Sequence, residues 1–374
     1  MQFRDLNAQY RYQKSDIDKA VAGVLSGGRY ILGEEVSILE KELAEYVGVK
    51  HCVSCANGTD ALVMALMALD IKAGDAVFVP NFTFFATAEA VSFIGAVPVF
   101  VDVQEATFNL DPEKLEEAIK AVILKGHYNP AAVIAVDLFG LPADYQKISE
   151  ITRRYSLYLI EDGAQGFGGA INGRRACGFG DISTTSFFPA KPLGCYGDGG
   201  ALFTDNGAYA EYLKSIRMHG KGGDKYDNVR IGMNSRLDTI QAAILRVKLK
   251  YFTRFELDAI NKAAARYDNG LKTVAETPFI PEGFFSSWAQ YTLRLKNHAQ
   301  REHMASVLKE RGIPTMVYYP KTMSQQLVYH GMEYPGLSVS ESLSDRVLSL
   351  PMHPYLEESE IDRICSEIKN ILNK

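Results

Sequence analysis

The 374-residue sequence predicts an α/β protein, in which a large, mostly parallel sheet wrapped by helices is followed by a smaller α+β domain. Three observations carry this expectation. Short apolar runs alternate with segments of helical periodicity through the first 205 residues. One run, Leu157–Asp162 (LYLIED), is apolar almost throughout and ends in two carboxylates, the pattern of a buried parallel strand emptying at its C-terminal end. After Pro278 the alternation gives way to shorter elements, and a chain of this length exceeds one small core. The expected division is a large domain over residues 1–250, with an N-terminal helical segment, and a small domain over 251–374.

Taken in order, Ile17, Val21, Val24 and Leu25 mark one helix, and Val36, Leu39, Leu43, Tyr46 and Val47 mark a second. The glycine-bounded SGGRYILG joins them. Seven strands are expected at Cys52–Cys55, Ala76–Pro80, Val97–Val103, Ala132–Leu138, Leu157–Asp162, Thr184–Phe188 and Ala201–Thr204. Helices fall between them at Thr59–Leu69, Thr87–Phe93, Pro112–Leu124 and Tyr145–Tyr155. A long helical pattern runs from Arg236 toward Leu271 with a break around Phe252–Leu257. The small domain should hold strands at Ala289–Leu295, Pro314–Tyr319 and Leu348–Pro351, and helices at Arg301–Arg311 and Glu358–Leu372.

The chemistry concentrates in Ser183–Ala201 (STTSFFPAKPLGCYGDGGA). Lys191 stands directly before Pro192, which pushes its backbone out of the helical region, and Gly194, Gly197, Gly199 and Gly200 allow close approach. A lysine fixed among apolar and aromatic neighbours loses solvation and its pKa falls, the condition for a Schiff-base lysine. The alternative is a surface lysine in a turn. Asp162 ends a buried strand, where ligands of open α/β sheets bind, and is followed by the small residues Gly163 and Ala164 and then the amide Gln165. An aspartate there can hold a pyridinium N–H, or cap a helix. A Schiff-base lysine with an aspartate for a pyridinium nitrogen is what pyridoxal 5′-phosphate requires of a protein.

Ala56-Asn57-Gly58-Thr59-Asp60 follows the first strand and opens a helix, a cradle for phosphate or a simple capped turn. Phe84, after the second strand, could stack on a ring, although an aromatic there alone reads as core, and Ser186 could reach the same phosphate. Hydrophobic residues make up 47% and charged residues 23%, with a net charge of −5, which argues against nucleic-acid binding. No run is long enough to span a membrane, and MQFRDLNAQYRYQK lacks the apolar core of a signal peptide. Five scattered cysteines suit a reducing, cytoplasmic setting, and HCVSCA reads as a strand rather than half of a metal site.

Together the segments FRDLNAQY, GGRYILGEEV, SCANGTDAL, NFTFFATAEA, IEDGAQGFG, TSFFPAKPLGCYGDGGA, GMNSRLDTIQAAIL and LSLPMHPYL resemble the DegT/StrS family of nucleotide-sugar aminotransferases over almost the whole chain. Within it the sequence is most similar to the 3-aminotransferases of bacterial O-antigen (lipopolysaccharide) synthesis. The resemblance implies the aspartate-aminotransferase-like fold type I and a homodimer with shared active sites. It also implies amino transfer from L-glutamate to a UDP-linked 2-acetamido-3-oxo-hexuronate. By residue, it implies that Lys191 is the Schiff-base lysine and proton shuttle, Asp162 the pyridinium partner, and Gln165 an amide to the ring oxygen. Gly58, Thr59 and Ser186 would cradle the phosphate and Phe84 would stack. Asn234 would reach the neighbouring subunit's cofactor; read alone, it could also cap a helix beginning at Arg236. Gly28, Tyr30, Arg236, Tyr318 and Tyr319 would hold the nucleotide sugar, with Arg236 on a carboxylate or in a structural salt bridge. Dehydratases of the family place histidine where Lys191 stands. Two positions depart from the subgroup: Ala190 replaces a common Ser, and Tyr318-Tyr319-Pro320 replaces His-Tyr-Pro. Both leave open a dTDP-linked 3-oxo-6-deoxyhexose or a 4-oxo sugar as substrate. A non-catalytic cofactor-binding protein on the same fold is the alternative of another class.

Overall fold

A computed structural model describes residues 1–224, 226–332 and 336–373. The strands are β1 (His51–Cys55), β2 (Asp75–Pro80), β3 (Val97–Val101), β4 (Asn129–Val136), β5 (Tyr158–Asp162), β6 (Ala170–Ile171), β7 (Arg174–Arg175), β8 (Ile182–Ser186), β9 (Gly200–Thr204), β10 (Phe284–Phe285), β11 (Tyr291–Arg294) and β12 (Val347–Leu350). The helices are α1 (Leu6–Gly27), α2 (Glu34–Val47), α3 (Gly58–Ala68), α4 (Ala86–Phe93), α5 (Pro112–Lys125), α6 (Tyr145–Arg154), α7 (Gly207–Ile216), α8 (Thr239–Tyr251), α9 (Leu257–Leu271), α10 (His298–Glu310), α11 (Ser338–Arg346) and α12 (Glu358–Leu372).

The seven strands expected in the first 205 residues form one sheet of order β1-β9-β8-β5-β4-β2-β3. Strands β3, β2, β4, β5 and β8 run parallel. Strand β9 runs against both β8 and β1, so β1 points the same way as the other five. Six C-terminal strand ends therefore share one edge. Alternate residues of the same strand feed opposite faces. Val77, Val79, Ile134 and Ile160 pack with α3 residues Ala61–Leu66, while Phe78, Val133, Ala135 and Leu159 pack with Leu115, Ile119, Ile148 and Ile151. Burial on both faces is why these strands read as continuous apolar runs.

A separate apolar core contains Ile260, Tyr267, Leu293, Met304, Leu308, Leu348, Ile364 and Ile368, all from the C-terminal part of the chain. The break expected in the long helix is one π-helical turn, Phe252–Glu256, between α8 and α9. It turns the Glu256 carboxylate inward, where Gln9, Gln13 and Tyr355 donate to it at 2.9, 2.8 and 2.7 Å. The strand expected at Pro314–Tyr319 is not formed; only a single bridge, Met316 to Ser349, remains of it. The helix expected from Arg236 starts at Thr239, with Asp238 at its N-cap position. Asn234 is therefore not its cap.

Beneath the sheet edge, Glu161 is fully buried and accepts from Cys177 N–H (2.5 Å), Phe179 N–H (2.7 Å) and the Ser183 hydroxyl (2.7 Å). Asp137, also fully buried, accepts from the Tyr145 hydroxyl and Ala143 N–H at 2.7 and 3.1 Å. Burial and the Glu161 charge push the Asp137 carboxyl well above the usual carboxylate range. Burial lifts Glu161 as well, but its three donors oppose that rise, so Asp137 is the member of the pair that favours the neutral form. Glu161→Gln turns an amide NH₂ toward those donors and should cost about 3 kcal/mol in denaturant unfolding, whereas Asp137→Asn, which keeps the neutral shape, should cost about 1 kcal/mol or less. Equal losses would place the proton elsewhere.

Candidate active site

The shared strand edge brings most of the expected residues together. Asp162 closes β5, Ser186 closes β8, Gly58 opens α3 after β1, and Phe84 follows β2. Lys191 lies in the turn after β8, where its N–H donates to Phe188 O at 2.9 Å and its carbonyl accepts from Arg4 Nη2 at 2.7 Å. Burial pulls the Lys191 amine below its ordinary pKa, opposed by the Asp162 carboxylate and reinforced by Arg4. Burial has the opposite sign for an acid and lifts Asp162, against hydrogen bonds from Ala164 N–H (3.2 Å) and the Thr87 hydroxyl (3.0 Å). The Thr87 hydroxyl is itself within 3.0 Å of the Thr83 hydroxyl. Sequence reasoning took Thr87 only as a helix start and gave Thr83 and Arg4 no role.

The α3 N-terminus is capped by Asn57, whose side chain accepts from Asp60 N–H at 2.8 Å. That leaves the N–H groups of Gly58 and Thr59 without partners among the described residues, so they are open to an anion. A Cβ on Gly58 would stand 2.7 Å from Ser186 Cβ, so only glycine lets the two backbones meet here. The Phe84 ring is 53% exposed, with its centroid 6.1 Å from that of Tyr319, and is not part of the core. Gln165 is buried with both ends of its amide engaged: Oε1 accepts from Phe139 N–H at 2.8 Å and Nε2 donates to the Tyr319 hydroxyl at 3.0 Å. One amide hydrogen remains for a ligand. Tyr318 joins the same cluster, 5.7 Å from Tyr319 and 6.2 Å from Phe3 between ring centroids.

Gly28, Tyr30, Asn234 and Arg236 form a second group. Gly28 ends α1 in the left-handed conformation at φ 66°. The Tyr30 carbonyl then accepts from Thr239 N–H at 2.8 Å, and Ile31 bridges Asp238. Ser235 ties this segment to the cradle by accepting from Ala56 N–H at 3.1 Å. Tyr30 and Asn234 are exposed. Arg236 has no hydrogen-bond or ion-pair partner among the described residues, so none of them makes the salt bridge weighed for it.

Pyridoxal phosphate fits the first group on structural grounds. The group offers an amine held below its usual pKa, a buried carboxylate facing it, two open N–H groups at a helix N-terminus, and an uncovered aromatic face. Cys52 and Cys55 both lie buried in β1, and the described residues contain no group of three or more metal-binding side chains. No helix of the described residues is long and apolar enough to cross a membrane.

The chain is 45% identical over 371 residues to the UDP-2-acetamido-2-deoxy-3-oxo-D-glucuronate aminotransferase of Pseudomonas aeruginosa, covering 99% of this chain and 100% of that one. Its fold is similar to a crystal structure of a DegT/DnrJ/EryC1/StrS aminotransferase from Brucella abortus, with TM-score 0.97, 49% identity and complete coverage of both chains. It is also similar to ntda from Bacillus subtilis with bound cofactor PMP, with TM-score 0.88 and 31% identity over 97% of this chain and 82% of that one. A sequence model of the DegT/DnrJ/EryC1/StrS aminotransferase family matches residues 11–369, and the chain belongs to that family.

Proposed function

We propose that this aminotransferase, using pyridoxal 5′-phosphate, moves the amino group of L-glutamate onto C3 of a UDP-linked 2-acetamido-3-oxo-hexuronate in the synthesis of a surface polysaccharide. The observation that carries the reading is the pairing of Lys191 and Asp162 at the sheet edge, on a chain similar throughout its length to a uronate enzyme. When bound, the cofactor supplies an aldehyde that takes up the amine and a protonated ring that draws in electrons. Asp162 holds the proton on the ring nitrogen, Gly58, Thr59 and Ser186 hold the phosphate, and Phe84 covers one face. Lys191 Nζ forms the covalent link at rest. Once released, it takes the proton from the glutamate α-carbon and later delivers one to the sugar carbon that receives nitrogen. Its depressed pKa keeps a useful fraction neutral for that first step.

The unpaired Arg236 suits a substrate carboxylate, since its planar fork can take both oxygens. Asn234 and Arg236 reach the neighbouring subunit's site in this reading, so the working unit is at least a homodimer. The loop leading to them supports that: Val229 is 53% and Ile231 is 84% exposed, apolar surface of the kind a partner covers. Ala190, exposed beside the lysine, and half-buried Tyr318 shape a pocket different from the subgroup pattern, so a dTDP-linked 3-oxo-6-deoxyhexose is the second substrate to test.

Purified protein should absorb visible light through its lysine-bound cofactor, and L-glutamate should bleach that band. Lys191→Ala should lose the covalent chromophore and at least about a thousandfold in turnover, each tenfold being about 1.4 kcal/mol of barrier. An unchanged spectrum on adding glutamate would remove glutamate as the donor.

Sharing of sites is testable by mixing inactive Lys191→Ala chains with inactive Asn234→Ala chains. After exchange, half of the dimers are mixed and each has one intact site, so about a quarter of wild-type activity should return. Proven exchange without recovery would rule sharing out.

Offered the UDP-uronate and the dTDP-deoxy ketosugar in competition, the enzyme should prefer the uronate by more than tenfold, because a desolvated Arg–carboxylate pair is worth about 2–5 kcal/mol. The reverse preference would retire the uronate and keep the aminotransferase.

A further inference from the structure

We propose that Arg4 is a positioning residue for Lys191, clamping the carbonyl of the catalytic lysine so that its side chain pivots on a fixed backbone. This rests on Lys191 being the cofactor-bearing lysine. The geometry is a clamp from two sides. Lys191 N–H is taken by Phe188 O at 2.9 Å, and its carbonyl by Arg4 Nη2 at 2.7 Å, from a residue 187 positions away in sequence. The next residue, Pro192, has no N–H to offer, so among the described residues the one hydrogen bond of the Lys191–Pro192 peptide is the one Arg4 provides. Arg4 is itself held. Phe3 O accepts from Met352 N–H at 3.1 Å, the Phe3 ring meets Tyr318, and Asp5 caps α1 by accepting from Ala8 N–H at 2.7 Å. One turn further on, Gln9 and Gln13 anchor α1 to Glu256 at the π turn. The N-terminal segment thus straps the lysine turn to the linker helix and to the C-terminal core.

The charges around the strap are few. Arg4 faces Glu256 and Tyr318, and its field also reaches Lys191, Lys248 and His353. Lys248, 1% exposed, lies over the Tyr196 ring with its amine nitrogen 4.8 Å from the centroid and has no hydrogen-bond partner among the described residues. Asp162 and Arg4 are the two charges acting on the Lys191 amine, with opposite signs. Arg4 therefore does two separable things: its Nη2 N–H fixes a carbonyl, and its charge disfavours a protonated nitrogen on Lys191.

The test uses the holoenzyme and three variants. Arg4→Met should lower kcat about ten- to a hundredfold, as expected for a misplaced reactive group, with KM for both substrates changed less than threefold. It should also raise the pH midpoint of the visible band, because a neighbouring cation is gone. Arg4→Lys keeps the charge but not the fork, so the midpoint should stay at the wild-type value while kcat remains at least threefold down; this variant decides the matter if Arg4→Met does not fold. Wild-type kcat and midpoint in Arg4→Met, or a loss confined to melting temperature, would overturn the proposal, as would wild-type kcat in Arg4→Lys. Lys191→Ala separates the two levels: if its band still titrates, the assignment of Lys191 fails, whatever Arg4 does.

Discussion

Everything at the sheet edge depends on placing a carboxylate and an amine of opposite charge where burial disfavours both charged forms. Burial raises Asp162 and lowers Lys191, so each is drawn toward neutrality, and their mutual attraction pulls the other way. Two donors, Ala164 N–H and the Thr87 hydroxyl, partly replace the water that Asp162 has lost. Hydrogen bonds to an ionised group contribute about 1.5–3 kcal/mol each, comparable in sum to the several kcal/mol of burying an isolated ion, yet the Asp162 carboxyl stays raised, so the offset is incomplete. The remainder is what a protonated ring nitrogen can supply. With one hydrogen bond on each oxygen, the Asp162 carboxylate keeps acceptor capacity for a cation of defined position, as a pyridinium would be.

That arrangement needs a rigid floor. The residue before Asp162 in β5 is Glu161, pointing to the opposite face, where it gathers Cys177, Phe179 and Ser183. The same strand thus fixes the active-site carboxylate above and locks the approach to β8 below. Close approaches complete the floor. Added Cβ atoms on Gly163 and Gly166 would fall 2.6 Å from Cys177 Sγ and 2.2 Å from Asp137 Oδ2, so the turn that carries Gln165 is pressed directly onto the acid pair. Replacing either glycine would move Asp162 and the Gln165 amide together.

The fold was legible in the sequence where one strand or helix made its own signal. The seven strands were readable because burial on both faces makes their residues apolar in succession, and the cradle because strand, Asn57-Gly58-Thr59 and helix follow without interruption. Pro314–Tyr319 misled, being an extended segment that makes one bridge instead of a ladder. Residues recruited across the fold carried no local signal. Thr87 meets Asp162 across 75 positions, and Arg4 meets Lys191 across 187. Gln165 was singled out as an amide three residues past Asp162, but not as the link from Phe139 to Tyr319, because both partners come from other strand ends and loops.

The Gln165–Tyr319 bond has a consequence for how substrate identity and chemistry divide. Tyr319 belongs to the C-terminal part of the chain, packs on Phe82 and Phe84, and receives a hydrogen bond from a residue three positions past Asp162. Tyr318, its neighbour, turns instead toward Phe3 and the N-terminal strap. Two adjacent tyrosines therefore report to different parts of the site: one to the floor that holds the cofactor, the other to the segment behind the lysine. A change at Tyr318 can reach the strap through Phe3 and the Gln165 amide through the neighbouring Tyr319 ring. The two departures weighed in the sequence, Tyr318 and Ala190, therefore lie beside the N-terminal strap and the lysine turn, while Gly58 keeps the residue type its close packing requires.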